Sequence, residues 1–151
     1  MNRTIVIVFS LVVLLMTTVG GALAQDDAML QKYYGVIPAE KVRQEPTKYL
    51  TVPPGVTVAP RLLGAYYGRG SSQQYAYLLR THEDGRVSLL YGWKAGQSGA
   101  GYYGGTVSPD GMSIAMDPNV RIWVSGDDVK VEWKTAGPAW MEKVALPAVV
   151  K

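Results

Sequence analysis

From Arg61 onward, short runs of alternating apolar and polar residues are separated by turns that contain glycine or asparagine. Alternation with a period of two places every second side chain on the same face of a strand. Glu83-Asp84-Gly85 fits a three-residue hairpin loop that ends in glycine. With this loop, six apolar side chains share one face, in the pairs Leu79–Leu89, Tyr77–Tyr91 and Tyr75–Trp93. A register slipped by one residue would scatter them over both faces.

Three further turns continue the same inner face. Gly126-Asp127 has glycine first, as a two-residue type II′ loop requires, and Asp117-Pro118-Asn119 fits another three-residue loop. These two turns predict the inner pairs Met116–Val120, Ile114–Ile122, Ile122–Val131, Val124–Val129 and Val120–Trp133. Pro109-Asp110-Gly111 is interpreted as a three-residue loop that pairs Ser108 with Met112 and Thr106 with Ile114. Together the turns predict an antiparallel meander.

The fold class predicted from this pattern is all-β. Adding strands at Leu62–Tyr67 and Trp140–Ala145 gives an up-and-down meander of about eight strands. A meander that is apolar on one face buries that face most simply by closing into a small barrel, which also removes its edges. A two-sheet β-sandwich is the alternative.

The first 24 residues have the features of a secretory signal peptide. A positive start at Asn2-Arg3 precedes the apolar stretch Ile5–Met16, and Ala22-Leu23-Ala24 supplies small residues at a cleavage site. We expect cleavage after Ala24 and a periplasmic or secreted protein without a membrane span. The alternative is an uncleaved anchor, because Ile5–Ala24 is just long enough to cross a bilayer.

Residues 25–60 differ from the barrel sequence because prolines punctuate them, at Pro38, Pro46, Pro53, Pro54 and Pro60. Each proline removes a backbone donor and favours extended geometry in the residue before it. We predict a Pro-rich N-terminal arm or linker that lies against the barrel, with a short helix at Asp26–Tyr34. The predicted organisation is therefore a signal peptide (1–24), this arm (25–60) and a barrel domain (61–151).

The first predicted strand carries a resemblance to a known superfamily. Gly64-Ala65-Tyr66 resembles the Gly-x-Trp opening of lipocalin-like (calycin-type) barrels, with tyrosine in place of the tryptophan. The resemblance extends over residues 62–145 through strand number and meander order. It implies that a small ligand binds in the mouth of the barrel.

Composition and charge exclude several functions. The chain has no cysteine, so the core alone must hold the fold. Of its 15 basic residues only Arg3 precedes the cleavage site, which leaves 14 against 12 acidic residues and no basic cluster for nucleic acid. The single histidine, His82, is predicted to be solvated beside a turn. No serine–histidine pair, cysteine nucleophile, metal cluster or phosphate loop is recognisable, so we expect no cofactor and no catalysis.

The turns and the longer connections are predicted to lie at opposite ends of the barrel. The open end carries the glycine-rich Lys94–Gly101 stretch, which is interpreted as a long mobile loop. Aromatic inner residues cluster toward this end, where Tyr and Trp can stack on a ring and also hydrogen-bond. The candidate ligand-binding residues are Tyr75, Tyr77, Tyr91, Trp93, Lys94, Tyr102 and Trp133.

These residues predict an exported, non-catalytic binding module for a small amphipathic or glycan-like ligand. The competing interpretation of the same residues is that the rings only fill the wide end of the barrel. A second function is a protein-binding or structural module of the bacterial envelope, in which a partner docks on outer residues Leu78, Leu90 and Trp123 or on the Pro-rich arm.

Overall fold

The computed structural model describes residues 27–116, 119–134 and 136–147, and within them the chain is mostly antiparallel β-structure. Residues 27–36 form helix α1, Ala39–Arg43 form α2, and Pro60–Leu62 form a 3₁₀ helix. The strands are β1 (Gly64–Arg69), β2 (Gln74–Thr81), β3 (Val87–Lys94), β4 (Ser98–Tyr103), β5 (Gly105–Val107), β6 (Ser113–Met116), β7 (Val120–Ser125), β8 (Asp128–Trp133) and β9 (Ala136–Val144).

All nine of these strands belong to one sheet that forms a nearly closed barrel. Their order is β4-β3-β2-β1-β9-β8-β7-β6-β5, and each named strand pair is antiparallel. β1 pairs with both β2 and β9, so the two edge strands of the sheet are β4 and β5, which follow one another in the chain. The gap between these two edge strands is the seam of the barrel. The predicted antiparallel barrel is confirmed, with nine strands because the segment 98–107 is divided at Gly104.

The turn at residues 83–85 and the turn at Gly126 produce the predicted registers. His82 and Arg86 flank the first loop, and the His82 N–H donates to the Arg86 carbonyl at 2.8 Å. Gly126 has a φ of 60°, whereas no described non-glycine residue has a positive φ, which matches a type II′ loop. The pairs predicted from these two turns and from the turn at residues 117–119 are present: Tyr75–Trp93, Tyr77–Tyr91, Leu79–Leu89, Ile114–Ile122, Met116–Val120, Val120–Trp133, Ile122–Val131 and Val124–Val129.

The predicted register of the β5–β6 hairpin is wrong by one residue. Thr106 pairs with Ala115 and Val107 with Ile114, because the loop holds four residues (109–112) rather than three. The Asp110 carboxylate stabilises this longer loop by accepting hydrogen bonds from the Met112 N–H at 3.0 Å and from the Ser108 hydroxyl at 2.6 Å. The inward residue of β5 is therefore the fully buried Val107, and Thr106 faces outward.

The predicted long mobile loop at Lys94–Gly101 is also wrong. β3 and β4 pair without interruption from Lys94–Ser98 to Leu89–Tyr103, and the connection is a three-residue turn at 95–97. Glycine in this segment keeps the inner face of a strand free of side chains instead of conferring mobility. Gly99 and Gly101 lie opposite Trp93 and Tyr91.

The Pro-rich arm packs against the barrel along the seam between β4 and β5. Leu50 donates to the Val87 carbonyl of β3 at 2.8 Å, and Thr51 forms a parallel bridge with Thr106 of β5. The Val107 N–H donates back to the Thr51 carbonyl at 3.0 Å. Two residues of the arm therefore occupy the seam and satisfy backbone groups that would otherwise be exposed sheet edge.

The arm also closes the end of the barrel that carries the tight turns. The 3₁₀ helix inserts Leu62 into the interior, where the Tyr77 hydroxyl donates to the Leu62 carbonyl at 3.0 Å. Tyr66 stacks on Tyr77 with ring centroids 5.1 Å apart, and its hydroxyl donates to the Arg61 carbonyl. Arg61 pairs in turn with Asp127 at 3.3 Å. Leu62 and these contacts therefore cover the barrel interior at this end.

Gly126→Val is expected to lower the free energy of unfolding by about 1–3 kcal/mol, because a β-branched side chain is strained at positive φ. A Cβ at Gly126 would meet no atom within 4 Å, so the cost arises in the backbone alone. Urea denaturation measures it. Gly96→Val is the control, since Gly96 is equally unobstructed and has no positive φ. Equal effects of the two substitutions would contradict the type II′ assignment.

The predicted signal peptide lies outside the described residues. Among the residues that are described, no helix combines the length and the apolar character needed to cross a bilayer.

Candidate functional site

A cavity of about 240 Å³ lies at the open end of the barrel. Four of the described residues that line it are aromatic and come from three different strands. The described lining residues are Gln73, Tyr91, Trp93, Tyr103, Met116, Val120 and Trp133. Aromatic and aliphatic walls with a few polar atoms are typical of small-molecule sites.

Strand pairing brings these side chains together from both halves of the sheet. Tyr91 and Trp93 lie two residues apart on β3 and therefore share its inner face. Val120 and Trp133 are directly paired on β7 and β8, and Met116 pairs with Val120 from β6. The barrel brings these two groups of residues to one opening, although they are distant in the sequence.

Two glycines of β4 leave space beside the aromatic rings. A Cβ on Gly101 would meet no atom within 4 Å, whereas a Cβ on Gly99 would lie 3.2 Å from the indole nitrogen of Trp93. Both residues occupy inward positions opposite β3. Without side chains there, the inner face of β4 contributes only Tyr103 to the cavity wall. The cavity therefore depends on glycine at positions where strands normally carry larger residues.

The rings form walls at an angle to one another. Tyr91 and Tyr103 are in edge-to-face contact, with centroids 5.7 Å apart and an interplanar angle of 86°. Burial raises the pKa of Tyr91, so its phenol is uncharged at neutral pH. None of the described residues that line the cavity is acidic or basic. A group bound there would contact the aromatic rings, phenols and amide of these residues, and none of them carries a formal charge.

Three of the seven candidate residues, Tyr91, Trp93 and Trp133, line the cavity. Trp133 is 40% exposed and lies at its rim. Tyr77 is deeper and holds the 3₁₀ helix at the closed end. Tyr75 is almost completely buried beside Gly70 and Tyr91, and its hydroxyl has no hydrogen-bond partner among the described residues.

The predicted inward orientation of Tyr102 is wrong. Tyr102 pairs with Leu90 on the outer face, where its hydroxyl donates to the Gln44 carbonyl at 2.9 Å and accepts from Arg80 at 3.0 Å. The error follows from the β5–β6 register, because placing Thr106 inward also places Tyr102 inward. Tyr103 is the residue that faces the cavity.

Four described lining residues were not among the candidates: Met116 and Val120 were predicted on the inner face but not chosen, whereas Gln73 and Tyr103 were not predicted to face inward at all. The sequence does contain an indication that Tyr103 faces inward. Apolar Val107 lies between polar Thr106 and Ser108, and Gly105 and Tyr103 share its face because side chains alternate with a period of two. Gln73 lies in the turn between β1 and β2, where the Gly70 N–H donates to its carbonyl at 2.8 Å. No periodic pattern identifies a turn residue of this kind.

Lys94, the remaining candidate, does not line the cavity. It is exposed at the end of β3 and pairs with Gln74 on one side and Ser98 on the other. Because Trp93 precedes it and faces inward, Lys94 lies at the outer edge of the opening.

The outer face proposed for partner binding is largely covered by the chain itself. Leu78 is 6% exposed and Leu90 is fully buried, because the N-terminal helices pack over them through Tyr33, Val36, Ile37 and Val42. Gly92 permits this approach, since a Cβ there would lie 2.8 Å from Ile37. Trp123 lies outside this cluster, half-buried, with Arg121 over its ring at 4.8 Å.

His82 is not simply solvated, and a serine–histidine contact exists that the sequence did not reveal. The His82 Nε2 lies 2.7 Å from the Ser88 Oγ, and Tyr49 of the arm packs edge-on against the imidazole ring. Ser88 is fully buried, so its hydroxyl is shielded from any substrate. The contact joins two adjacent strands beneath the arm.

Neither a metal site among the described residues nor a known relative indicates a function for this cavity. Within residues 27–116, 119–134 and 136–147, no group of three or more His, Asp or Glu side chains is placed to hold a metal ion. Comparisons with protein-family models, with curated proteins and with solved structures found no match.

Proposed function

We propose that the protein is an exported, non-catalytic binding module that takes a small amphipathic molecule into the mouth of its barrel. The observation that carries the proposal is the 240 Å³ cavity between Tyr91, Trp93, Tyr103 and Trp133. Tyrosine and tryptophan combine an apolar ring with a polar group, so such walls accept a ring and hydrogen-bond its substituents. Export rests on the N-terminal sequence alone.

The size of the cavity limits the ligand. Small-molecule sites commonly enclose about 300–1,000 Å³, so this cavity is small. It suits one aromatic ring or one sugar ring rather than an extended lipid or an oligosaccharide. The resemblance to lipocalin-like barrels agrees with a ligand at this end, although fold alone does not define function.

Tryptophan fluorescence can report on the cavity directly. Two of the four tryptophans, Trp93 and Trp133, line it, whereas Trp123 and Trp140 do not. In a Trp123→Phe/Trp140→Phe variant, all remaining tryptophan emission therefore comes from the site. We expect a saturable fluorescence change with a member of a panel of phenylacetate, phenylacetamide, glucose and N-acetylglucosamine. A ligand present at a hundred times its Kd should also stabilise the fold by about 2.7 kcal/mol.

Gly101→Val is expected to weaken this binding without destabilising the barrel. The new side chain enters open space on the inner face of β4, and replacing glycine within a strand can stabilise it by about 0.5–1 kcal/mol. Affinity for the panel member that binds should fall by about tenfold or more, equivalent to about 1.4 kcal/mol. Fluorescence titration and urea denaturation measure the two effects.

Gly104→Val is the matched control for this substitution. Gly104 lies between β4 and β5, outside the cavity lining, and a Cβ there also meets no atom within 4 Å. Its affinity should equal that of the parent protein. A Gly101→Val protein that still binds with parental affinity would remove the cavity as the site, and no response to any panel member would count against the proposed function itself.

A further inference from the structure

We propose that the ligand of this cavity is an extended peptide segment, whose backbone pairs with the free edge of β4 while one uncharged, ring-bearing side chain enters the cavity. This inference rests on the proposed function, because it uses the same cavity, and it specifies the kind of partner that supplies the ring. It follows from the position of the cavity beside an edge of the sheet.

β4 is an edge strand that pairs on one side only. Its residues Ser98–Tyr103 form an antiparallel ladder with β3, whereas on the other side they pair with no described strand and accept or donate no other backbone hydrogen bond to a described residue. In an antiparallel ladder, every second residue directs its N–H and C=O groups away from the partner strand. β4 therefore presents a row of backbone donors and acceptors at the seam, to which an extended segment can add as a further strand.

The sequence of β4 has none of the features that usually prevent pairing at a sheet edge. Natural edge strands are protected by charged side chains, proline or bulges. The strand is Ser-Gly-Ala-Gly-Tyr-Tyr, without a charged residue or a proline, and its register with β3 is regular. Ser98 is exposed, and Gly99 and Gly101 are partly exposed. Because glycine has only backbone atoms, the backbone of β4 is accessible at these two positions.

The cavity reaches the seam beside this edge. Tyr103, the last residue of β4, and Met116 of β6 both line the cavity, and Met116 pairs with Gly105, the first residue of β5. Gly101 faces inward on β4, and a Cβ there would meet no atom within 4 Å. A strand added along β4 would direct every second side chain toward the barrel interior, so one of these side chains can enter the cavity.

The arm shows that the seam accepts an extended segment. Toward the closed end, the Leu50 N–H donates to the Val87 carbonyl of β3 on one side, and Thr51 exchanges hydrogen bonds with Gly105 and Val107 on the other. The backbone of the arm thus joins the two sides of the seam. The described arm residues form these bonds only at this end, so the part of the β4 edge nearer to the mouth is left for another segment.

The chemistry of the cavity lining specifies the side chain that enters. The described lining residues carry no formal charge, and burying an isolated charge is costly, so the entering side chain is uncharged. A cavity of about 240 Å³ suits a single ring, such as that of phenylalanine or tyrosine. When a peptide adds to a sheet edge, its main-chain hydrogen bonds supply affinity and the pockets for its side chains supply specificity.

An uncharged peptide with one central phenylalanine tests the proposal. The probe is acetyl-Val-Thr-Phe-Thr-Val-amide, and its control has alanine at the centre. Fluorescence titration of the Trp123→Phe/Trp140→Phe protein should show the phenylalanine peptide binding about tenfold more tightly than phenylacetamide, because an added strand contributes several backbone hydrogen bonds. The alanine peptide should bind about tenfold more weakly than the phenylalanine peptide. Gly101→Val should weaken binding of the phenylalanine peptide, whereas Gly104→Val should not.

Methylation of the peptide backbone separates strand pairing from simple insertion of the ring. Neighbouring residues of a strand direct their N–H groups to opposite sides, so only one of two adjacent peptide amides faces β4. One peptide is methylated at the phenylalanine nitrogen and another at the nitrogen of the following threonine. One of these two peptides should bind about tenfold more weakly than the other. Equal affinities would contradict pairing with a sheet edge.

Hydrogen exchange locates the paired edge in the full protein. The outward amides of Ser98–Tyr103 should exchange rapidly in the free protein, and the phenylalanine peptide should slow their exchange by about tenfold or more, whereas phenylacetamide should not. Amides of β8, which has a neighbouring strand on each side, are the internal control. If the outward amides are already protected in the free protein, the edge is occupied by another segment or by a second copy of this chain, and the inference is wrong.

The outcomes distinguish this inference from the proposed function. If a small compound binds in the cavity and the phenylalanine peptide binds no more tightly, the peptide inference is wrong and the binding function stands. If the peptide binds more tightly and slows exchange along β4, both stand. If neither the peptide nor any small compound binds, the proposed function fails, and the inference fails with it.

Discussion

Gly111→Ala is expected to lower the free energy of unfolding by about 3 kcal/mol or more. Gly111 has a φ of 73°, where an alanine costs about 1–2 kcal/mol. A Cβ there would also lie 2.0 Å from the Thr57 carbonyl oxygen of the arm, and overpacking of this kind costs about 1–3 kcal/mol. The arm cannot easily retreat, because the Ala59 N–H donates to the Gly111 carbonyl at 2.9 Å.

Gly85→Ala separates the two contributions. Gly85 has a φ of 86°, but a Cβ there would meet no atom within 4 Å, so only the backbone cost of about 1–2 kcal/mol remains. Urea denaturation of both variants gives the difference. If the two substitutions cost the same, the arm does not lie against the Gly111 turn, and the closed end is sealed in some other way.

Leu90→Ala is expected to cost about 2–5 kcal/mol, the range for a leucine truncated inside a core. Leu90 points away from the barrel interior, yet it is fully buried because the N-terminal helices pack over it. An outward leucine on an uncovered sheet would lose far less on truncation, typically within about 0.5 kcal/mol. The free energy of unfolding therefore measures whether the helices stay docked in solution.

Trp140→Ala supplies the comparison on the outer face that the helices leave uncovered. Trp140 is 56% exposed and stacks on Lys130 at 4.7 Å, so its removal should cost no more than about 1 kcal/mol. A Leu90→Ala effect as small as that of Trp140→Ala would contradict the docked arm. In that case Leu78 and Leu90 would be exposed in solution and would again be candidates for partner binding.

The sequence alone determined the parts of the fold that depend on local turn chemistry. The turn at Glu83-Asp84-Gly85 and the turn at Gly126 each specify a loop length, and loop length determines register. Every pair predicted from these two turns is present in the barrel. Three cavity residues, Tyr91, Trp93 and Trp133, could be predicted because they lie on strands whose register those turns control.

Errors arose where two loop lengths were equally compatible with the local residues. The turn at Pro109 accommodates three or four residues, and the choice depends on hydrogen bonds that the Asp110 carboxylate accepts, which no periodicity reveals. Because the predicted loop was one residue too short, every side chain in the segment before it was assigned to the wrong face of the sheet. Tyr102 was therefore predicted in the site in place of Tyr103. Because side chains alternate with a period of two, such an error propagates along the strand.

Only the tertiary structure decided the role of the arm. Residues 27–63 lack alternation, and their contacts are with strands far away in the sequence: Leu50 with β3, Thr51 with β5, and Ile37 beside Gly92. Long-range packing of this kind depends on the shape of the barrel surface and on unsatisfied backbone groups at the seam. A local sequence pattern indicates neither of them. The sequence therefore determined the sheet and most of its inner face, whereas the closed end, the covered outer face and the size of the cavity were decided by how the whole chain packs.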